Sequence, residues 1–190
     1  MSKTSTNSRE AILAAARRTA QARGYNGLNF RDLAAEVGIK AASLYHYFPS
    51  KADLGAEVAR RYWQDTAVAL DALLAEASDP LQALRKYPET FRWALERDNR
   101  MCLASFMAAE TDDLPEAVRT EVRTFADVNV AWLGKILVAA KLATPEDSEA
   151  RARAMFAAIA GAQLMARSRS DLALYDTLID SYREAGLLPF

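Results

Sequence analysis

Glycine at 24, glycine at 38 and proline at 49 divide the early chain into two stretches too short to hold as helices by themselves. Isolated helices below about 12–15 residues are marginal in water, so these pieces must pack on one another and on a longer neighbour. After Ser8, Ile12, Ala15, Ala16 and Thr19 recur at spacings of three and four, which predicts that longer helix, stopped at Gly24. Asn29 then reads as an N-cap with Asp32 three residues on, and Phe30, Leu33, Ala34 and Val37 form one apolar face. A turn at Gly38 and Ile39 leads into a third helix from about Lys40 to Tyr47. Two short helices joined by a glycine turn, after a longer one, make a helix-turn-helix.

With Leu44 set inward and about 100° per residue, Ala42 and His46 lie roughly 160° away, flanked by Ser43 and Tyr45. That outward face offers hydrogen-bonding groups with little bulk, as close entry into a major groove requires. Ala42 permits close approach to a thymine methyl, Lys40 and Ser43 suit base reading, and Tyr45 and His46 suit phosphate contact. Lys51 stands at a helix N-terminus, where backbone N–H groups also favour an anion. Tyr47 and Phe48 read as packing residues.

Charge agrees in its distribution rather than its sum. Up to Arg61 there are 10 Lys and Arg against 5 Asp and Glu, while the rest of the chain has 14 against 20. A basic amino-terminal part on an acidic body is the asymmetry expected where one end meets phosphate. With one cysteine, Cys102, a disulfide within the chain or a cysteine-rich zinc site has no basis; one histidine, His46, rules out any site needing two imidazoles, and no Ser/His/Asp or HExxH spacing is present. The expectation is no enzyme, no catalytic residue, no cofactor and no metal. No apolar run is long enough to span a bilayer and Met1 to Thr6 is too polar for a signal peptide, so the expected compartment is the cytoplasm, without a membrane partner.

Helical periodicity continues to the end. Ser50, with Asp53 at the third position, opens a long fourth helix to about Glu76. Asp79-Pro80 opens a fifth to Arg97, which Pro88 should bend or interrupt. A short helix around Cys102 to Glu110 and three more opened at Leu114-Pro115, Thr144-Pro145 and Ser170-Asp171 complete the chain. The expected fold is all-α, about nine helices with no strand, and the polar first seven residues are expected to be disordered.

The stretch GYNGLNFRDLAAEVGIKAASLYHYFPSKADL, Gly24 to Leu54, resembles the amino-terminal signature of the TetR/AcrR repressors, most specifically in LYHYFPSK. The resemblance implies a DNA-binding domain at 1–50, a ligand-binding and dimerisation domain at 51–190, and a homodimer that leaves a palindromic double-stranded operator when a small-molecule effector binds. It maps recognition-helix contacts onto Lys40, Ala42, Ser43, Tyr45 and His46, and the phosphate-binding lysine onto Lys51. Many members carry Gly where Ala42 stands.

Within that frame, Phe156, Ala157, Ala160, Gly161 and Leu164, with Leu174, Leu178 and Tyr182, suit a helix pair that meets its copy across a two-fold axis, or packing inside one subunit. An apolar effector pocket is expected from Trp63, Phe91, Trp93, Met101, Cys102, Phe106, Trp132 and Met155, with Gln163 as its polar contact. The segment MCLASFMAAETDDLPEAVR, Met101 to Arg119, is similar to that of the repressors sensing N-ethylmaleimide, which implies a thiol switch at Cys102 as the alternative, with Arg97 and Arg100 as neighbours able to lower its pKa. A small-molecule-binding protein without a regulatory role is a further alternative, and activation rather than repression stays open.

Overall fold

The computed structural model describes residues 3–190. In chain order its helices are α1 Lys3–Arg23, α2 Phe30–Val37, α3 Ala41–Tyr47, α4 Lys51–Glu76, α5 Pro80–Lys86, α6 Glu89–Glu96, α7 Leu103–Ala108, a 3-10 turn at Thr111–Asp113, α8 Glu116–Ala139, α9 Pro145–Arg169 and α10 Leu172–Glu184. No strand occurs among the described residues. The all-α expectation holds, with one helix more than anticipated. The extra helix comes from Pro88, which has no N–H to continue the ladder: Tyr87 N–H closes α5 on Ala83 and Leu84, and the chain restarts when Phe91 N–H bonds back to Pro88. At the other end α1 begins at Lys3, five residues before Ser8, because no Gly or Pro interrupts Lys3 to Asn7. α1 thus takes in residues 3–7 of the segment expected to be disordered. For Met1 and Ser2 that expectation lies outside the described residues.

The caps fall where the sequence put them. Asn29 accepts the N–H of Arg31 and Asp32 at 2.8 and 3.3 Å, and Ser50 Oγ accepts that of Asp53 at 3.1 Å while donating to its carboxylate at 2.7 Å. Gly38, at φ 77°, ends α2 with its N–H on Ala34 and Ala35 carbonyls. A side chain there would be strained in the left-handed region, so glycine makes the turn of the helix-turn-helix.

The chain packs as two units. One comprises residues up to Trp63 together with Leu103–Phe125; the other comprises Gln64–Cys102 and Ala126–Phe190. These compact units differ from the 1–50 and 51–190 segments. The reason is apolar area: the short α2 and α3 cannot bury Leu33, Ala34, Leu44 and Phe48 by themselves, and Leu54 and Val58 of α4, Leu103 and Met107 of α7 and Val118 and Val122 of α8 complete their core.

The second unit is centred on Leu84, Tyr87, Phe91, Leu133, Ile136, Met155, Ile159 and Tyr175. Polar side chains within it pair to fix helix register. Tyr87 donates to Asn129 Oδ1 at 2.8 Å, Tyr175 donates to the Pro88 carbonyl at 2.7 Å, and Arg92 of α6 clasps Asp176 of α10 through two bonds of 2.7 and 2.8 Å.

Candidate functional site

In α3, Leu44 is fully buried and Ala42, Ser43, Tyr45 and His46 are all exposed. Lys40 is the exposed N-cap residue of this helix, extended at φ −73° and ψ 140°. The outward face derived from helix direction is therefore the face that α3 presents. Tyr45 is 57% exposed while its ring packs 4.8 Å from that of Phe30, so its hydroxyl end is free to move and its ring is braced. Tyr47 and Phe48 turn inward against the core, as their aromatic bulk requires.

Lys51 is placed differently from a lysine extended into solvent. Its Nζ donates to the Asn26 carbonyl at 3.3 Å and lies 4.6 Å from the Tyr25 ring centroid. Desolvation pushes its pKa down, against the opposing pull of the Glu110 carboxylate. One basic residue escaped the sequence reading: Arg31, in the first turn of α2, is exposed and without an ion-pair partner among the described residues, as is Lys40. The signal was available in the polar side of α2, opposite Phe30, Leu33 and Ala34.

A basic, sparsely hindered helix face on a buried three-helix core is the geometry of a major-groove reader. Residues 12–58 match the bacterial regulatory proteins of the tetR family. The solved structure of a transcriptional regulator of the TetR family from Agrobacterium tumefaciens is 30% identical, with a TM-score of 0.87 over 95% of this chain and 97% of that one. The chain belongs to the TetR family.

Like that family, it is a DNA-binding transcriptional regulator and not an enzyme. It is also 29% identical over 119 residues to the HTH-type transcriptional regulator YxaF of Bacillus subtilis, a match spanning 60% of this chain and 61% of that protein's length. The reduced form of NemR from E. coli shares the fold, at 22% identity and a TM-score of 0.80 over 93% of this chain and 96% of that one.

The residues expected around an effector in this TetR-family chain are drawn from both units. Phe91, Met101, Cys102, Trp132, Met155 and Gln163 are buried in the second unit. Trp63 and Phe106 belong to the first, where Trp63 Nε1 donates to Glu121 at 2.7 Å. Trp93 is 55% exposed: it stands two residues from buried Phe91, a step of roughly 200° that turns it to the opposite side of α6. Sequence reading grouped these aromatics because bulk alone does not reveal direction.

Gln163 has its polar atoms committed. Its Nε2 donates to the Phe91 carbonyl at 2.6 Å and its Oε1 accepts the Cys102 N–H at 2.9 Å, tying α9 to α6 and to the strand of chain entering α7. Gln163→Leu removes both of these bonds and is expected to cost about 2–3 kcal/mol, read as a lower urea midpoint at unchanged slope. An unchanged midpoint would show that these bonds contribute nothing net.

Cys102 is 2% exposed. Of the two arginines named as its activators, Arg97 is exposed and Arg100 bonds Asp98 at 2.7 Å. A buried thiol of this kind behaves as a small hydrophobe. Trp132 is stacked on Tyr87 with ring centroids 5.7 Å apart, and its indole N–H is buried without a partner.

On α9, Ala152, Met155, Ile159, Ala162 and Ala166 are buried, whereas Ala157 and Leu164 are exposed and Phe156, Ala160 and Gly161 are half-buried. On α10, Leu174, Leu178 and Tyr182 are half-buried around a line of contact made by Tyr175 and Ile179. Among the described residues no helix is long and apolar enough to cross a membrane.

Proposed function

We propose that the protein is a homodimeric repressor that grips a two-fold symmetric operator with one α3 from each protomer and releases it when an apolar effector binds the second unit. The observation that carries the DNA-reading half is the exposed Lys40, Ala42, Ser43, Tyr45 and His46 on a helix anchored by fully buried Leu44. Lys40 and Ser43 read base edges, Tyr45, His46 and Lys51 contact phosphate, and Arg31 adds a further phosphate contact at the start of α2. Residues 1–50 supply this reader and 51–190 the effector and dimer functions, in a protein of the cytoplasm, where the DNA is.

The effector is apolar with few charges, held among Phe91, Met101, Trp132 and Met155. Since a buried unpaired donor costs free energy, an effector carrying one acceptor oxygen or nitrogen matches the indole N–H of Trp132. Such an effector acts by binding the non-operator state more tightly and shifting the population toward it. The two-fold axis passes by α9 and α10, where Ala157, Gly161 and Leu164 face out.

Selection of bound duplexes from a random DNA pool, followed by footprinting with and without candidate effectors, tests the reading. A palindromic consensus that effectors release supports it; recovery of no consensus sinks it. Binding is expected to weaken steeply with salt, and Arg31→Ala should flatten the slope of log K against log salt by about 2, since each lost contact counts about 0.9 and the dimer loses two. An unaltered slope would remove Arg31 from the interface.

A further inference from the structure

Two successive backbone N–H groups of the turn between α1 and α2 are held by one side chain from outside it. Glu110, just past α7, accepts the backbone N–H of Tyr25 at 2.5 Å and that of Asn26 at 3.1 Å, one on each carboxylate oxygen. Asn26 Nδ2 donates to Asp113 Oδ2 at 3.3 Å, and on the other side the Asn26 carbonyl receives Lys51 Nζ. Gly24 has a φ of +70°, which side chains rarely adopt, and a Cβ there would lie 2.3 Å from Glu110 Oε2, so the carboxylate would have to shift. Successive N–H groups beside a left-handed residue form an anion-binding nest, and here the anion is built into the chain 85 residues away.

We infer that Glu110 is a positioning residue for DNA reading. Resting on the assignment of α3 and Lys51 to the DNA contact, the inference is that its carboxylate fixes the turn from which both neighbours of α3 take their place. Three residues beyond Asn26, Asn29 caps α2, which carries α3 through the Gly38 turn; the Asn26 carbonyl holds the lysine that opens α4. Glu110 thus sets the reader's shape through backbone groups, without touching DNA.

The sign of a charge-neutral replacement separates positioning from plain electrostatics. Removing a carboxylate near a polyanion strengthens binding to any duplex if Coulomb repulsion is all that it contributes. Positioning demands the opposite for the specific site. In full-length E110Q, affinity for the duplex selected by the wild type is expected to fall about tenfold, the scale of one charged hydrogen bond. Affinity for a scrambled duplex of the same length should stay level or rise. Hydrogen exchange of the Tyr25 and Asn26 amides should speed up about tenfold in the DNA-free protein, for the same reason.

Gly24→Ala keeps the charge of Glu110 and takes the space of its carboxylate, and the same specific loss is expected. Wild-type or tighter binding to the selected duplex by both variants overturns the inference, as does unchanged exchange at Tyr25 and Asn26 in E110Q whatever the DNA result. Failure of the wild type itself to prefer its selected duplex overturns instead the assignment of α3 and Lys51, and the inference falls with it.

Discussion

Leu44→Ala is expected to destabilise the first unit by about 2–5 kcal/mol and to abolish operator binding, whereas Ser43→Ala should leave stability within about 0.5 kcal/mol. The contrast follows from position alone: Leu44 is fully buried and its neighbour is exposed. α3 has seven residues, too few to persist by its own hydrogen bonds. Its place depends on Leu44 reaching the core shared by Ile12 and Ala16 of α1 and Leu33 of α2. A cavity at that point removes the contact that orients the reading face, so binding should fall by more than the unfolded fraction explains. Denaturant titration followed by binding at a temperature where the variant is folded separates the two losses. Operator affinity within a factor of two of wild type in the folded variant would mean that α3 is oriented by something other than Leu44.

Much of this architecture could be read before any coordinates because its signals are local. Asn29 with Asp32 and Ser50 with Asp53 announce helix starts over three residues, Gly38 marks the turn, and Pro88 marks the interruption that separates α5 from α6. The outward face of α3 followed from the period of the helix and one apolar residue. What escaped depends on contacts between residues far apart in the chain. Nothing near Glu110 indicates that its carboxylate will meet the N–H groups of Tyr25 and Asn26, and nothing near Lys51 indicates that its ammonium will rest on the Tyr25 ring.

The aromatic residues of the middle helices show the same limit from another side. Phe91 and Trp93 are equally apolar by composition, yet one is buried and the other faces out. On α6 only the arrangement of its neighbours decides which of the two turns inward: Leu95 follows Phe91 on the buried side, while Arg92 reaches across to Asp176. Gln163 was read as the polar contact of a pocket and not as a residue whose two ends are already used by backbone. A single apolar or amide side chain reports its chemistry, and its partner must come from the fold.

Leu164→Glu should convert a dimer into monomers and cost the operator complex at least about 100-fold in affinity, because linked binding of two heads typically contributes a factor of 10²–10⁴. α9 is apolar on both sides. Its inner stripe is buried within the second unit, and its outer stripe of Ala157, Gly161 and Leu164 recurs at spacings of four and three. Leu164 is 53% exposed, and a Cβ built on Gly161 would meet nothing within 4 Å, so a second helix backbone can approach this surface closely. A two-fold contact puts each Leu164 near its own copy, and two glutamates there add like-charge repulsion to the lost apolar contact. The subunit itself should fold as before, since the side chain points away from its core. Sedimentation at micromolar concentration should therefore give about 20.9 kDa for the variant and about twice that for the wild type. Helical content by circular dichroism should not differ between them. A variant that stays dimeric would move the two-fold axis away from α9, and one that is monomeric yet binds its operator undiminished would show that the two heads do not act together.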